Sequence, residues 1–205
     1  MYGKVGIQNL ASGGVGPLRL DEKGSLVTTP GNGGRYYEAV KRGNVYIAAN
    51  QTGCVWTVGL ATTYTGLCLA NPIGSGKNLS ILGVGHQEVV APTGIAAVYL
   101  AGLYHATAVV QSVASTVLRA NIGPNAAAAV GLAATGATLP AAPKILLNLT
   151  AGHTSGALST AAAPAWTELG GLLVLEPGGF LIIANFTIGV AVGQQGSIVW
   201  EEIAI

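Results

Sequence analysis

The stretch that most constrains this chain is its last third, Leu172 to Ile205, LLVLEPGGFLIIANFTIGVAVGQQGSIVWEEIAI. Two apolar runs rich in β-branched residues flank the turn signal Glu176-Pro177-Gly178-Gly179. A third run, Ser197 to Ile205, follows the polar break Gly193-Gln194-Gln195-Gly196. Such runs between Gly- and Pro-rich breaks predict strands. The expectation is three successive antiparallel strands that close a β-sandwich, with a hairpin at Glu176–Gly179. Phe180-Leu181-Ile182-Ile183-Ala184 is apolar on both faces, whereas a strand with one wet face alternates. It must be covered on both sides, and the simplest second cover is another subunit. Phe180, Ile182, Ile183, Phe186 and Trp200 are therefore the candidate oligomer interface, with Glu176, Glu201 and Glu202 at the solvated ends.

The rest of the chain repeats the period of two. Asn44–Ala48 places Val45 and Ile47 on one face, and Gly53–Leu60 aligns Cys54, Trp56, Val58 and Leu60. Thr65–Ala70, Leu79–Val84, Glu88–Ala91, Gly94–Tyr104 and Lys144–Thr150 read as further strands. Between Ala106 and Ala120 the valines are spaced as on a helix, but the β-branched content favours a strand. Ile122 to Pro143, rich in Ala, Gly and Pro, reads mostly as a long surface loop, with room for one helical turn at Ala126–Val130. Ala151 to Pro164 reads as a second loop. No fixed-period repeat appears, which argues against a solenoid or propeller.

Residues 1 to about 50 differ. They hold more than half of the formally charged residues and two loose glycine clusters, around Gly13-Gly14 and Gly33-Gly34. Short strands are possible at Lys4–Gln8 and Gly24–Thr28. The expected organisation is an extended N-terminal arm, 1–50, for attachment or inter-subunit contacts, followed by a sandwich domain, 51–205. The fold class is all-β: an antiparallel, jelly-roll-like β-sandwich with that arm.

Composition narrows the function. Charged residues are 8% of the 205-residue chain, against about 25% in a typical domain. A surface so poor in charge makes a weakly soluble monomer, which points to a surface that meets protein. A net charge of +1 leaves no electrostatic footprint for nucleic acid. The mean hydropathy is +0.54, yet every long uncharged stretch is interrupted by Gly, Pro or polar residues. None offers the roughly 20 apolar residues of a spanning helix, so no membrane span is expected. The first residues lack the apolar core of a signal peptide, and the expectation is synthesis in the cytoplasm. Cys54 and Cys68, with no ligand cluster beside them, read as free thiols.

No motif selects a reaction. Gly74-Ser75-Gly76-Lys77 lacks both the earlier glycine and the following Ser or Thr of a phosphate loop, and a strand follows it. His86, His105 and His153 lie in separate segments, and the only aspartate, Asp21, is in the arm. A Ser–His–Asp arrangement is not expected. His86 and Glu88 share a strand face, as a surface ion pair would. Glu201-Glu202 point to opposite faces of a strand and cannot share a proton. Glu88, Glu168 and Glu176 are available for glycosidase chemistry, but nothing in the sequence selects them. Tyr36, Tyr37, Tyr46, Tyr64, Tyr99 and Tyr104, with Trp56, read as core or interface aromatics before a sugar platform. The expectation is a protein that is not an enzyme, with no cofactor and no metal.

Two stretches carry a resemblance. One is Asn71-Pro72-Ile73-Gly74-Ser75-Gly76-Lys77-Asn78-Leu79-Ser80-Ile81-Leu82. The other is Glu176-Pro177-Gly178-Gly179-Phe180, with Gly196-Ser197-Ile198-Val199-Trp200-Glu201-Glu202. They resemble small virion proteins of tailed bacteriophages, of the jelly-roll decoration or head-fibre kind. In those, N-P-x-G-S-G-K-N opens a strand and a closing hairpin ends in W-x-E or W-E-E. The resemblance implies a homotrimeric jelly roll on the capsid exterior that binds the major capsid protein. Its arm would reach neighbouring subunits, with Lys4, Arg19, Arg35, Tyr36, Tyr37, Lys41 and Arg42 as candidate capsid contacts. The alternative is a tail-tip or head-fibre module recognising host glycan through loops 122–143 and 151–164.

Overall fold

The computed structural model describes residues 36–89, 96–123, 128–152, 165–185 and 193–205. The chain divides into two units, Met1–Glu38 and Ala39–Ile205, and the strands described here belong to the second. A short helix, α1 (Tyr37–Arg42), precedes β1 (Val45–Ala49), β2 (Cys54–Val55), β3 (Thr63–Ala70), β4 (Lys77–Glu88) and β5 (Ala96–Tyr104). Then come β6 (Val110–Ala114), β7 (Val117–Arg119), β8 (Leu132–Thr138) and β9 (Lys144–Gly152). The last three are β10 (Ala165–Leu175), β11 (Gly179–Asn185) and β12 (Gly193–Ala204).

The strands form two antiparallel sheets packed as a sandwich. The first has the order β10-β4-β12-β1-β7, with β2 also on β12. The second has the order β6-β8-β3-β11-β5-β9. Pairing is nested. β1 pairs β12, β3 pairs β11, β4 pairs β10 and β5 pairs β9. Leaving out β2 and β6–β8, the first strand meets the last, the second meets the second last, and so inward. The segment β6–β8 lies between the two innermost strands and widens both sheets, β7 beside β1 and β8 beside β3.

This nesting corrects the reading of the last third. β10, β11 and β12 are not successive neighbours: β10 and β12 lie in the first sheet, on either side of β4, and β11 lies in the second. Glu176–Gly179 is therefore a corner between sheets and not a hairpin. Its geometry fits a type II turn: Gly179 N donates to Glu176 O at 2.8 Å, and Gly178 follows Pro177 with φ of +96°.

The sandwich begins before residue 51, the boundary expected from the sequence. β1 is an internal strand, paired with β12 on one side and β7 on the other, so Val45–Ala49 belongs to the sandwich. The strand expected over Gly53–Leu60 shortens to β2. Trp56 turns into the core while Val58 is exposed, so they do not share a face. The short strands expected at Lys4–Gln8 and Gly24–Thr28 lie outside the described residues. Within Ala106–Ala120 the chain is β-structured, as β6 and β7.

The largest surprise is β8, in a stretch read as loop. Its sequence, LAATGAT, is poor in strand-favouring residues, but it pairs β3 on one side and β6 on the other. Ladder bonds on both sides outweigh weak propensity. The small side chains have a use: Ala133, Ala134 and Ala137 are buried, and a Cβ on Gly136 would stand 3.1 Å from Ser112 Oγ. Residues 126 and 127 of the expected helical turn lie outside the described residues, and Ala128–Val130 are irregular.

The main core fills the space between the sheets. Tyr46, Leu79, Ile81, Ile198 and Trp200 of the first meet Leu67, Leu69, Val98, Leu100, Leu181 and Ile183 of the second. Each such side chain contributes about 1.5–3 kcal/mol by leaving water, and Tyr46 stacks on Trp200 with centroids 6.0 Å apart. A second apolar cluster lies on the outer face of the second sheet: Tyr64, Cys68, Tyr99, Ala101, Ala134, Phe180 and Ile182, with Leu139. Among the described residues no helix is long and apolar enough to cross a membrane.

Candidate functional site

The expected oligomer interface is overturned by burial. Phe180, Ile182, Ile183 and Trp200 are each 0% exposed within one chain and have no area left for a partner. β11 is apolar on both faces, as the sequence reads. Its inward residues Leu181 and Ile183 enter the main core, however, and its outward residues Phe180, Ile182 and Ala184 enter the second cluster. The second cover is this chain's own. Phe186 lies outside the described residues, as do Lys4, Arg19 and Arg35 of the expected contact arm. Tyr36 is half-buried, Tyr37 is exposed, and Lys41 and Arg42 are exposed in the last turn of α1.

The stretches Asn71–Leu82, Glu176–Phe180 and Gly196–Glu202 meet at one end of the sandwich. Asn71 joins the β3–β4 crossing to the β10–β11 crossing. Its backbone N donates to Gly179 O at 2.9 Å, and its carbonyl accepts from Gly178 N at 2.8 Å. Its Nδ2 donates to both Lys77 O and Leu175 O at 2.8 Å. Glu202 completes the corner. Lys77 Nζ donates to Glu202 Oε2 at 2.9 Å, and the backbone N–H groups of Val130 and Gly131 donate to Oε1 at 2.8 and 2.9 Å. Glu202 is thus not at a solvated end: its side chain is 0% exposed, against 34% for Lys77. The period of two predicts this, since Glu202 shares the inward face of β12 with Ile198 and Trp200. Both carboxylate oxygens are engaged by donors, so the role is structural.

Among the described residues the remaining titratable groups form no larger cluster. His86 and Glu88 share a face of β4, but both are buried, which corrects their reading as a surface pair. Burial lowers the His86 imidazole from its usual 6.5, and Glu88 beside it opposes the shift. Cys54 and Cys68 are free thiols. Burial raises both, Cys68 to about 12. Thr107 N donates to His105 Nδ1 at 2.9 Å. Tyr64 OH donates to Ile183 O, and Tyr46, Tyr64, Tyr99 and Trp56 are core residues. Among the described residues no three of His, Cys, Asp and Glu stand close enough to hold a metal.

A groove of about 360 Å³ lies exposed on the outer face of the first sheet. Register builds it. Trp166 of β10 is opposite Gly85 of β4, Gly85 is opposite Ser197 of β12, and Ser197 is opposite Ala49 of β1. Four strands thus place Trp, Gly, Ser and Ala in one row. The indole occupies the room left by two glycines: a Cβ on Gly83 would stand 2.3 Å from its Cζ2, and one on Gly85 3.1 Å from its Cε3. Trp166 nevertheless remains 56% exposed. In the neighbouring row Gln87 pairs with Gln195, and Gln87 Nε2 donates to Gln195 Oε1 at 2.6 Å. Asn50 closes the far side, held by Gly196 N donating to its Oδ1 at 3.0 Å. Sequence reading misses this site because Gly83 and Gly85 read only as weak strand residues. The register that lays Trp166 over them is not written locally.

In comparisons with known proteins, no family model, no curated protein and no solved structure matches this chain.

Proposed function

We propose that this chain is a structural virion protein of a tailed phage, a decoration protein that binds and stabilises the major capsid lattice as a homotrimer. Residues 1–38 are the arm that attaches it. Two features support the reading. The stretches Asn71–Leu82, Glu176–Phe180 and Gly196–Glu202 resemble such proteins. The nested pairing of eight strands is what a jelly-roll wrap would produce, an architecture shared by capsid and lectin domains.

The observation that carries the proposal is the two strands at the edges of the second sheet among the described residues. β6, VQSVA, contains no charge and exposes Val110 and Val113, while β9 exposes Ile145 and Leu146 and carries one cation, Lys144. Solitary proteins guard such edges with charge or proline. Left apolar, they suit lateral packing of copies, where charges are costly to desolvate. A trimer then attaches through three arms, and weak single contacts add to firm retention.

Arm removal tests the assignment. A chain beginning at Ala39 keeps β1 and should lose retention on purified capsids in co-sedimentation. If it binds as tightly as the full chain, the role given to residues 1–38 is wrong.

A further inference from the structure

We propose that the groove beside Trp166 is a binding site for an uncharged saccharide. The inference does not depend on attachment to capsids. It moves the glycan-recognition reading away from loops 122–143 and 151–164 to the face of the first sheet.

Three properties of the groove select this ligand class. The first is a large aromatic side chain left more than half exposed although two glycines make room for it. An indole face is the electron-rich side of the ring and attracts polarised C–H groups, such as those of a sugar ring. The second is the planar amides at the end of the groove. Their mutual bond uses Gln87 Nε2 and Gln195 Oε1. Gln87 Oε1 and Gln195 Nε2 take part in no hydrogen bond among the described residues. One acceptor and one donor therefore stand side by side, which matches adjacent hydroxyls. The third is neutrality. Asn50, His86, Gln87, Trp166, Gln195 and Ser197 line the groove, burial favours the neutral form of the His86 imidazole, and among the described residues no Lys, Arg, Asp or Glu lines it. A phosphate or an acidic sugar finds no counter-charge there, and a purely apolar partner would strand the amides. The volume falls in the range of small-ligand clefts, near about 300–1,000 Å³, enough for a short oligosaccharide.

The floor is as telling as the walls. Gly83, Gly85, Ser197 and Ala49 are all small, and a Cβ on Gly85 would meet Ser197 Oγ at 2.7 Å. This keeps the sheet surface low beside Trp166, so a flat ring can lie against it.

The test uses the full chain. Neutral oligosaccharides of glucose, galactose, mannose and N-acetylglucosamine are screened on an array, and hits are titrated by tryptophan fluorescence. At least one neutral series should bind, with affinity nearly independent of salt, as expected for an uncharged ligand. Trp166→Ala should weaken binding at least tenfold and Gln195→Ala several-fold, while Trp166→Phe keeps most of it. All three change side chains outside the core, and unchanged thermal midpoints verify folding. The proposal fails if no neutral saccharide binds. It fails if Trp166→Ala binds as well as the parent, or if the array selects only acidic glycans. It also fails if Trp166→Ala lowers the mass in solution, since the face is then a protein contact.

Discussion

Glu202 receives Lys77 on one oxygen and two backbone N–H groups on the other, and no water reaches its side chain. Removing one partner of a buried pair strands the other, so the two ends should not cost the same. Glu202→Ala leaves three donors unanswered and should destabilise the fold by about 3–5 kcal/mol. Lys77→Met leaves the carboxylate its two backbone donors. Because Lys77 is a third exposed, the loss should stay near 1 kcal/mol. Urea denaturation of both variants measures the difference, and equal losses would mean that the bonds to Val130 and Gly131 carry nothing. His86 gives a pH dependence of definite sign. Its imidazole is held below the usual 6.5 by burial, with Glu88 opposing, and the residues opposite it, Ala165 and Gly196, do not titrate. The unfolded chain therefore takes up a proton that the folded chain refuses. Stability is complete above about 6.5 and declines as pH falls below it, levelling once the folded imidazole is itself protonated. Denaturation midpoints at pH 7.5 and 5.5 should differ in the parent, and the part owed to this group should vanish in His86→Gln.

Among the elements, the corner at Glu176–Gly179 decides which sheet β11 enters. Gly178 has φ of +96°, and a Cβ there would stand 2.8 Å from His105 O. Gly74, in the β3–β4 crossing, has φ of +76° with open space where a Cβ would go. Alanine in a left-handed conformation costs about 1–2 kcal/mol. Both Gly74→Ala and Gly178→Ala should lose about that amount, and Gly178→Ala should lose more because of the carbonyl. Thermal unfolding of the pair isolates the packing at the corner, and equal losses would contradict it. The same corner marks what a sequence can and cannot tell. Pro177-Gly178 announces a turn without ambiguity, and the runs on either side announce strands. Whether the second strand returns beside the first or crosses to the other sheet depends on Asn71, more than a hundred residues away. β8 was illegible for a different reason, since its alanines and glycine say nothing locally and are buried only because β3 and β6 flank them. The doubly apolar face of β11 was legible as needing two covers, but not as to whose. The Trp166 groove needs four strands in register before its residues become neighbours.

For the whole molecule, the apolar edges of the second sheet specify how copies would meet. Among the described residues the two edges are different strands, β6 and β9. Joining β6 of one copy to β9 of the next is a heterologous contact, and such contacts close into rings when the rotation allows. Joining β6 to β6 would instead stop at a dimer. The two arrangements separate under mixing. Val113→Lys blocks β6 and leaves β9 intact, while Ile145→Lys does the reverse. Both residues are exposed, so neither change empties the core. In the ring, each variant alone has one dead edge and should sediment as a single chain of 20.4 kDa. Mixed, the live β9 of one variant meets the live β6 of the other, and the product should be a dimer that cannot grow. In a β6-to-β6 dimer, Ile145→Lys would dimerise alone and mixing would add nothing. Analytical ultracentrifugation of the two variants, separately and together, distinguishes the cases. A parent chain that sediments as a monomer at every concentration would remove the assembly on which the capsid reading rests.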